Sequence, residues 1–406
     1  EDTTYRRRHA EYFADVAAAA HVQLRGADQA NVRSALVAES ANLQAAITYA
    51  IQLEDKDLEV KIAANAGNFW FETGQLDLGR SILKKVLANQ DADKPAALLP
   101  ELCRTLVELS LWGGAIEDAT RFLEYESSLV DRSGSALDSA KVRGSQALYS
   151  FIVGDYANSY DEMSLLLTAD LPDSGIPRAY AMASTAYLLL RMGRRDEALE
   201  AIERATIMGK DFGRESVVAM RSDFNGWLAF HDGHLAAAEW EWSIGERAYE
   251  SLELYPMMAD MRQLRAWAGI ARGDEHASGL LASANELMTQ YALRPFVIRG
   301  NILMAAANAD AEPRTALTRL KTELTSAARI QSRTAAVWSL VYASRCQMML
   351  GNHDEAAGLA LAANTLRSRI PIVWPSWLND DLLIRSSAER DDSPDREIIN
   401  RALASI

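Results

Sequence analysis

Glycines recur along this sequence at a near-constant step. They stand at Gly74, Gly114, Gly154, Gly193, Gly233, Gly273 and Gly351, separated by 40, 40, 39, 40 and 40 residues and then by 78. A fixed period of this length marks a repeat architecture, in which each unit is one supersecondary element stacked on the next. The double step predicts one more turn near Ala311, where Asp310-Ala311-Glu312-Pro313 can serve without glycine. Glycine reaches the left-handed conformation that ends a helix without steric cost. Asp155, Asp274 and Asn352 directly follow their glycines and are expected to cap the next helix. Each turn therefore reads as the tip of a helical hairpin.

The residues around the turns keep step with them. Five positions after each turn the side chain is small: Gly79, Ala119, Ser159, Ala198, Ala238, Ser278, Ala316 and Ala356. Seven positions before it, Gly67, Ala147, Ala186, Gly226, Ala266 and Ser344 follow the same rule, and Val107 and Met304 break it. Nine positions after it the residue is mostly large and apolar, as at Leu83, Leu123, Met163, Ile202, Trp242 and Leu320. Small residues facing large ones let two antiparallel helices approach and interdigitate.

Gly193-x-x-Asp-Glu-Ala198 and Gly351-x-x-Asp-Glu-Ala356 resemble the turn and second helix of a tetratricopeptide repeat. That unit is usually shorter, so a period near 40 implies longer helices or longer links. The fold expected is all-α, a right-handed superhelical solenoid of about ten tetratricopeptide-like hairpins. A second resemblance lies at the N-terminus, in His9-Ala-Glu-Tyr-Phe13, Leu24-Arg-Gly-Ala-Asp-Gln29, Glu39-Ser-Ala-Asn-Leu-Gln-Ala-Ala-Ile47 and Phe69-Trp-Phe-Glu-Thr-Gly-Gln-Leu76. These stretches resemble the start of the helical sensor region of bacterial STAND-type regulators, similar to the AfsR-type, LuxR-type and MalT families. The resemblance implies a ligand- or partner-sensing array coupled to an ATPase, and often to a DNA-binding domain, elsewhere in a parent protein. The match covers about the first 90 residues. Neither of those other domains is recognisable within these 406 residues.

Three segments follow from this reading. Residues 1–55 are expected as an adaptor or capping hairpin, with one helix over 4–24, a stop at Arg25-Gly26, and a second helix from Asp28 to about Leu53. Residues 56–366 form the array, with links at Asn89–Pro100, Thr168–Pro177 and Ser251–Pro256. Residues 367–406 form a C-terminal capping pair. Ile370-Pro-Ile-Val-Trp-Pro375 breaks the helix there, and helices follow over 376–387 and 394–405 around a turn near Asp391. The chain begins at Glu1 rather than Met, and a fragment of a longer protein is expected.

Composition narrows the partners. The net charge is −14, and Arg6-Arg7-Arg8 is the only basic triplet. Nucleic acid binding generally needs a basic face, so none is expected here. No run of 18 apolar residues exists to span a membrane, and no signal peptide pattern appears. Cys103 and Cys346 sit in apolar helical context and read as buried free thiols, which points to a cytoplasmic protein. Self-association is a further expectation.

No phosphate loop, dinucleotide loop, nucleophile elbow, H-E-x-x-H or C-x-x-C occurs. No enzyme, cofactor or metal is therefore expected in this stretch. His231 and His234 flank a repeat turn and imply no third ligand. Trp242 stands at a packing position and reads as core.

The inner wall of the array carries the candidate site. In a tetratricopeptide array the first helix of each hairpin faces the concave side. Counting back from the turns gives Arg104, Glu108, Trp112, Leu148, Phe151 and Tyr180, then Tyr187 and Arg191, then Asp223, Trp227 and Phe230, then Asp260, Gln263 and Trp267, then Asn301, Trp338 and Arg345. Of these, Tyr187, Arg191, Asp223, Trp227, Phe230, Asp260, Gln263, Trp267, Asn301 and Arg345 are the expected ligand-binding residues. Aromatic faces beside amide, carboxylate and guanidinium groups suit a small polar effector or a peptide. Two readings stand at this point. The positions contact a ligand, or they pack between neighbouring helices. The function expected is effector sensing in a transcriptional regulator, with a scaffold for a partner peptide as the alternative.

Overall fold

The computed structural model describes residues 2–24, 29–91, 94–168, 176–211, 215–370, 372–375 and 393–406. Every regular element among them is a helix. Three helices come first: α1 (Asp2–Gln23), α2 (Gln29–Ala38) and α3 (Ser40–Gln52). The single helix expected to end near Leu53 is thus two, broken at Glu39, whose φ of −96° and ψ of 7° leave the helical values. The expected stop at Arg25-Gly26 and the cap at Asp28 lie outside the described residues.

Eight hairpins follow. They are α4 (Lys56–Asn65) and α5 (Gly67–Glu72) with α6 (Leu76–Ala88), α7 (Leu99–Trp112) with α8 (Ile116–Ser133), and α9 (Ala136–Val153) with α10 (Tyr156–Thr168). Next are α11 (Ile176–Arg191) with α12 (Arg195–Asp211), α13 (Glu215–His231) with α14 (Leu235–Ser251), and α15 (Tyr255–Arg272) with α16 (Ala277–Gln290). The last are α17 (Arg294–Ala307) with α18 (Pro313–Arg329) and α19 (Arg333–Met349) with α20 (His353–Ser368). A final helix, α21 (Asp395–Ser405), packs on α20 and α18. Asp395 accepts from Arg333 Nε at 2.6 Å and Arg369 Nη1 at 2.5 Å. Burial pushes its carboxyl up, but the two guanidinium groups hold it below the ordinary aspartate value. The helix expected over 376–387 and the turn near Asp391 lie outside the described residues.

The seven turn glycines all have positive φ, from +70° at Gly114 to +86° at Gly154. After each one, the next backbone N–H donates to the carbonyl five residues earlier. Asp155 N reaches Ser150 O at 2.7 Å, and Arg194 N reaches Leu189 O at 2.9 Å. This is the Schellman closure, which satisfies carbonyls that the helix end leaves free. The turn without glycine is longer. It runs from Asn308 to Glu312 with no positive φ, and Pro313 opens the next helix at a position that needs no N–H. Of the three expected caps, Asp155 accepts from Asn158 N at 3.3 Å and Asp274 from His276 N at 2.9 Å. Asn352 makes no cap, because its amide instead donates to Gln347 Oε1 at 2.7 Å.

The small positions meet face to face. Ser159 Oγ donates to Ala147 O and Ser344 Oγ to Ala356 O, both at 2.8 Å. A Cβ on Gly226 would lie 2.3 Å from Trp242 Nε1, so only glycine lets that indole lie across α13. Several links between hairpins use the same left-handed turn with ordinary residues, at Glu253, Ala292 and Gln331 with φ of +53° to +55°. Leu293 N then donates to Met288 O at 3.0 Å. The period near 40 therefore comes from helices of 14 to 18 residues joined tightly in the later hairpins.

The array closes on itself. The turn edge of the first hairpins lies against the link edge of the last. A Cβ on Gly74 would lie 3.0 Å from Tyr291 Cδ1, one on Gly114 3.1 Å from Ile330 Cγ2, and one on Gly193 2.7 Å from Val373 Cγ2. Trp112 stacks on Phe296 at 5.7 Å, and the Tyr156 hydroxyl lies 3.1 Å from Thr334 Oγ1. Arg33, nearly buried, donates to Glu72 at 2.9 Å and reaches Leu252 O at 3.5 Å. The concave side is thereby walled rather than open. Cys103 and Cys346 are both buried and free. Among the described residues no helix is long and apolar enough to cross a membrane.

Candidate ligand-binding cavity

A ladder of rings runs along the inner wall, from α13 through α15 and α19 to the segment after α20. The Arg191 guanidinium lies over the Trp227 ring at 4.3 Å. Trp227 meets Trp267 edge-on at 6.1 Å, and Trp267 meets Trp338 edge-on at 4.7 Å. Trp338 continues to Trp374 at 5.7 Å. Edge-to-face pairs at these distances are favourable beyond their burial. The Trp227–Trp267 pair follows from the repeat. Trp227 and Trp267 both stand six residues before a turn glycine, so their helices present them on the same side.

In front of the ladder is a cavity of ≈ 150 Å³. Trp112, Phe151, Tyr156, Arg191, Trp227, Trp267, Phe296, Arg299 and Trp338 line it, with the hydroxyls of Ser332 and Thr334. On the other side of Arg191, Trp227, Trp267 and Trp338, a smaller recess is lined by the segment 372–375 after α20. Val373 N donates to the Arg191 carbonyl at 2.6 Å, and Trp374 is buried over Trp338 with Arg367 on its ring at 5.5 Å.

Behind the wall lies a polar layer. Trp242 Nε1 donates to Asp223 Oδ1 at 3.2 Å, and Tyr187 donates to Met220 O at 3.1 Å. Burial, then the neighbouring Asp260, push the Asp223 carboxyl well above its ordinary value. Burial and Asp223 push the Tyr187 hydroxyl up in turn. Asp260 is paired with Arg299, which also donates to Gln263 Oε1. Gln263 is fully buried and donates to Asn285 Oδ1 at 2.8 Å and Phe296 O at 3.0 Å. Asn301 continues the layer to Glu323 at 3.1 Å. A buried layer of this kind is stable only because each group has a partner. Beside Arg191, burial and that guanidinium hold His231 down to about 4.

The ten expected residues thus fall into three places. Arg191, Trp227 and Trp267 line the cavity. Tyr187, Asp223, Asp260, Gln263 and Asn301 belong to the polar layer, and Phe230 is fully buried between Trp242 and Trp267. Arg345 is apart from the cavity, paired with Asp310 at 2.7 Å. Trp112, Phe151 and Trp338, on the same counted face, also line the cavity. Arg299 escaped the count because the glycine-free turn is longer. Counted from Glu312 rather than Ala311, it falls thirteen residues before the turn, the place of Asp260 and Trp338 in their hairpins. Phe296, Ser332 and Thr334 come from links or helix starts, and only the closure of the array brings them in. Among the described residues no group of three or more His, Cys, Asp or Glu is placed to hold a metal ion.

No protein-family model matches the chain, and no curated protein matches it. Solved structures do. One is the crystal structure of a Rap protein complexed with competence and sporulation factor, with a TM-score of 0.51 and 12% sequence identity over 85% of this chain and 99% of that chain. The fold is a tetratricopeptide-like helical repeat. At this identity the likeness is one of fold alone.

Proposed function

We propose that the chain is a helical-repeat interaction scaffold that takes a segment of a partner protein against its inner wall, with an anchor group in the cavity. The observation that carries this reading is the convergence of rings on one cavity. Trp112, Phe151, Trp227, Trp267, Phe296 and Trp338 come from six different hairpins. Aromatic and arginine groups around a desolvated recess are the usual anchors of interfaces. The Rap protein of similar fold was crystallised in complex with a factor, which supports the same use of the fold here.

The test is panning of a random peptide library on the folded chain. Recovered peptides should bind Trp227→Ala and Phe151→Ala at least about tenfold more weakly, as expected when an interface anchor is truncated. Trp240→Ala, on a side chain 65% exposed, should leave them unchanged. Peptides insensitive to all three variants would sink the reading. The walled concavity also favours a second reading, a small effector sensed within a regulator of the STAND type. Sequencing the parent gene tests that: a phosphate-binding loop upstream would support it, and flanks without an ATPase would end it.

A further inference from the structure

The cavity wall is one-sided in charge. Its lining holds two guanidinium groups, Arg191 and Arg299, and no carboxylate, in a chain of net charge −14. Arg299 is matched by Asp260 and Gln263. Arg191 is not. It is half-buried, with the Trp227 ring at 4.3 Å and the Tyr156 ring at 5.8 Å. Ring faces attract the charge but accept little from N–H edges. Guanidinium has five N–H donors in a fixed fork, and among the described residues none of those of Arg191 has a carboxylate or carbonyl acceptor. None of its nitrogens is sealed from water, so the fork is open to an anion entering the cavity, which would replace solvent on it with charge-assisted hydrogen bonds.

The shape narrows the anion. One fork offers two parallel donors, which match the two oxygens of a carboxylate. The rest of the ≈ 150 Å³ cavity is walled chiefly by rings, with hydroxyls only at Tyr156, Ser332 and Thr334. It suits a flat apolar body. We propose that the cavity binds a carboxylate borne on an aromatic group, the carboxylate on the fork of Arg191 and the ring between Trp227, Phe296 and Trp338. The group is a free arylcarboxylate or the C-terminal aromatic residue of a peptide. This rests on the reading above of the cavity as the binding recess, for a partner segment or a small effector, and adds the chemistry of the anchor.

The test uses matched probes on the full chain, followed by ligand-observed NMR. 3-Indoleacetate is compared with indole-3-acetamide, and a hexapeptide ending in Trp is compared as free acid and as amide. At least one acid should bind tenfold or more tightly than its amide, and the preference should shrink as salt is raised. Arg191→Gln should bring that acid down to its amide, with the far-UV spectrum unchanged. Binding of the small acid alone identifies a small effector, and binding of the peptide acid alone identifies a chain terminus. The wild-type acid–amide comparison stands even if the variant fails to fold. Equal binding of acid and amide, or no acid binding at millimolar concentration, overturns the proposal. If panned peptides still depend on Trp227 in that case, the scaffold reading survives without it.

Discussion

Glu126 is 1% exposed, and burial raises its carboxyl from an ordinary 4.5 to about 7, with Arg104 opposing. Between those values the folded chain holds a proton that the unfolded chain releases. Its stabilising contribution is therefore complete below about pH 4.5 and is lost as pH rises through about 7, an effect of at most about 3 kcal/mol. His231 has the opposite slope. Burial lowers it from 6.5 to about 4, so its contribution is present above 6.5 and lost as pH falls through 4. The two partly cancel near pH 5–6 in the wild-type profile, and a difference between variants separates them. Glu126→Gln should match wild type in urea unfolding at pH 5 and exceed it by about 1–3 kcal/mol at pH 8; equal stability at pH 8 would contradict the assignment. Ala292 offers a second check, since it holds φ of +55° with an L side chain. Ala292→Gly should raise the urea midpoint by an amount worth about 0.5–1 kcal/mol, because glycine adopts that conformation without strain. Neither residue was legible in the sequence. A buried carboxylate looks like any helical glutamate, and a left-handed alanine leaves no compositional mark. Asp223 and Asp260 were legible as inner-face carboxylates, but their partners Trp242 and Arg299 sit on other helices, and no spacing rule pairs them.

Hairpins were far easier to read than single residues, because each turn states its requirement in one residue. Left-handed φ selects glycine, and small residues at fixed offsets mark the contact of the two helices. The offsets make a prediction. In α13, Gly226→Ala would push a methyl group into Trp242, which is fully buried and bonded to Asp223. The cost should be about 1–3 kcal/mol, as for overpacking in a well-filled core. In α20, Gly358 has nothing within 4 Å of an added Cβ and is exposed. Gly358→Ala should stabilise by about 0.5–1 kcal/mol, the ordinary helix preference. Chemical denaturation of both variants checks the opposite signs. The links were less legible. Glu253, Ala292 and Gln331 make turns that their sequence does not announce, and the break at Glu39 has no glycine or proline to mark it.

At the scale of the molecule the period alone does not give the closure. A repeat fixes how each hairpin sits on the next, while the pitch of the superhelix is the sum of many small rotations. Contacts such as Gly74 with Tyr291 or Trp112 with Phe296 join residues some two hundred positions apart and follow no period. Yet those contacts wall the cavity and bring in Phe296, Ser332 and Thr334. In a solenoid each hairpin is stabilised mainly by its neighbours, so closure can be weakened without unfolding the array. Trp112 and Phe296 are both half-buried and stack across the closure, with their rings inclined by only 18°. Replacing both by alanine removes that pair while leaving the turns and the small-residue contacts intact. The double variant should keep the wild-type far-UV spectrum, show a larger radius of gyration by small-angle scattering, and exchange amide hydrogens faster at the links near 291–294 and the turn near Gly114. The loss should be about 1–3 kcal/mol rather than a global collapse, since the rings are only partly buried. If the variant instead loses helicity in one cooperative step, closure is part of the folding core. If its radius and exchange match wild type, the stacked pair does not hold the ring shut.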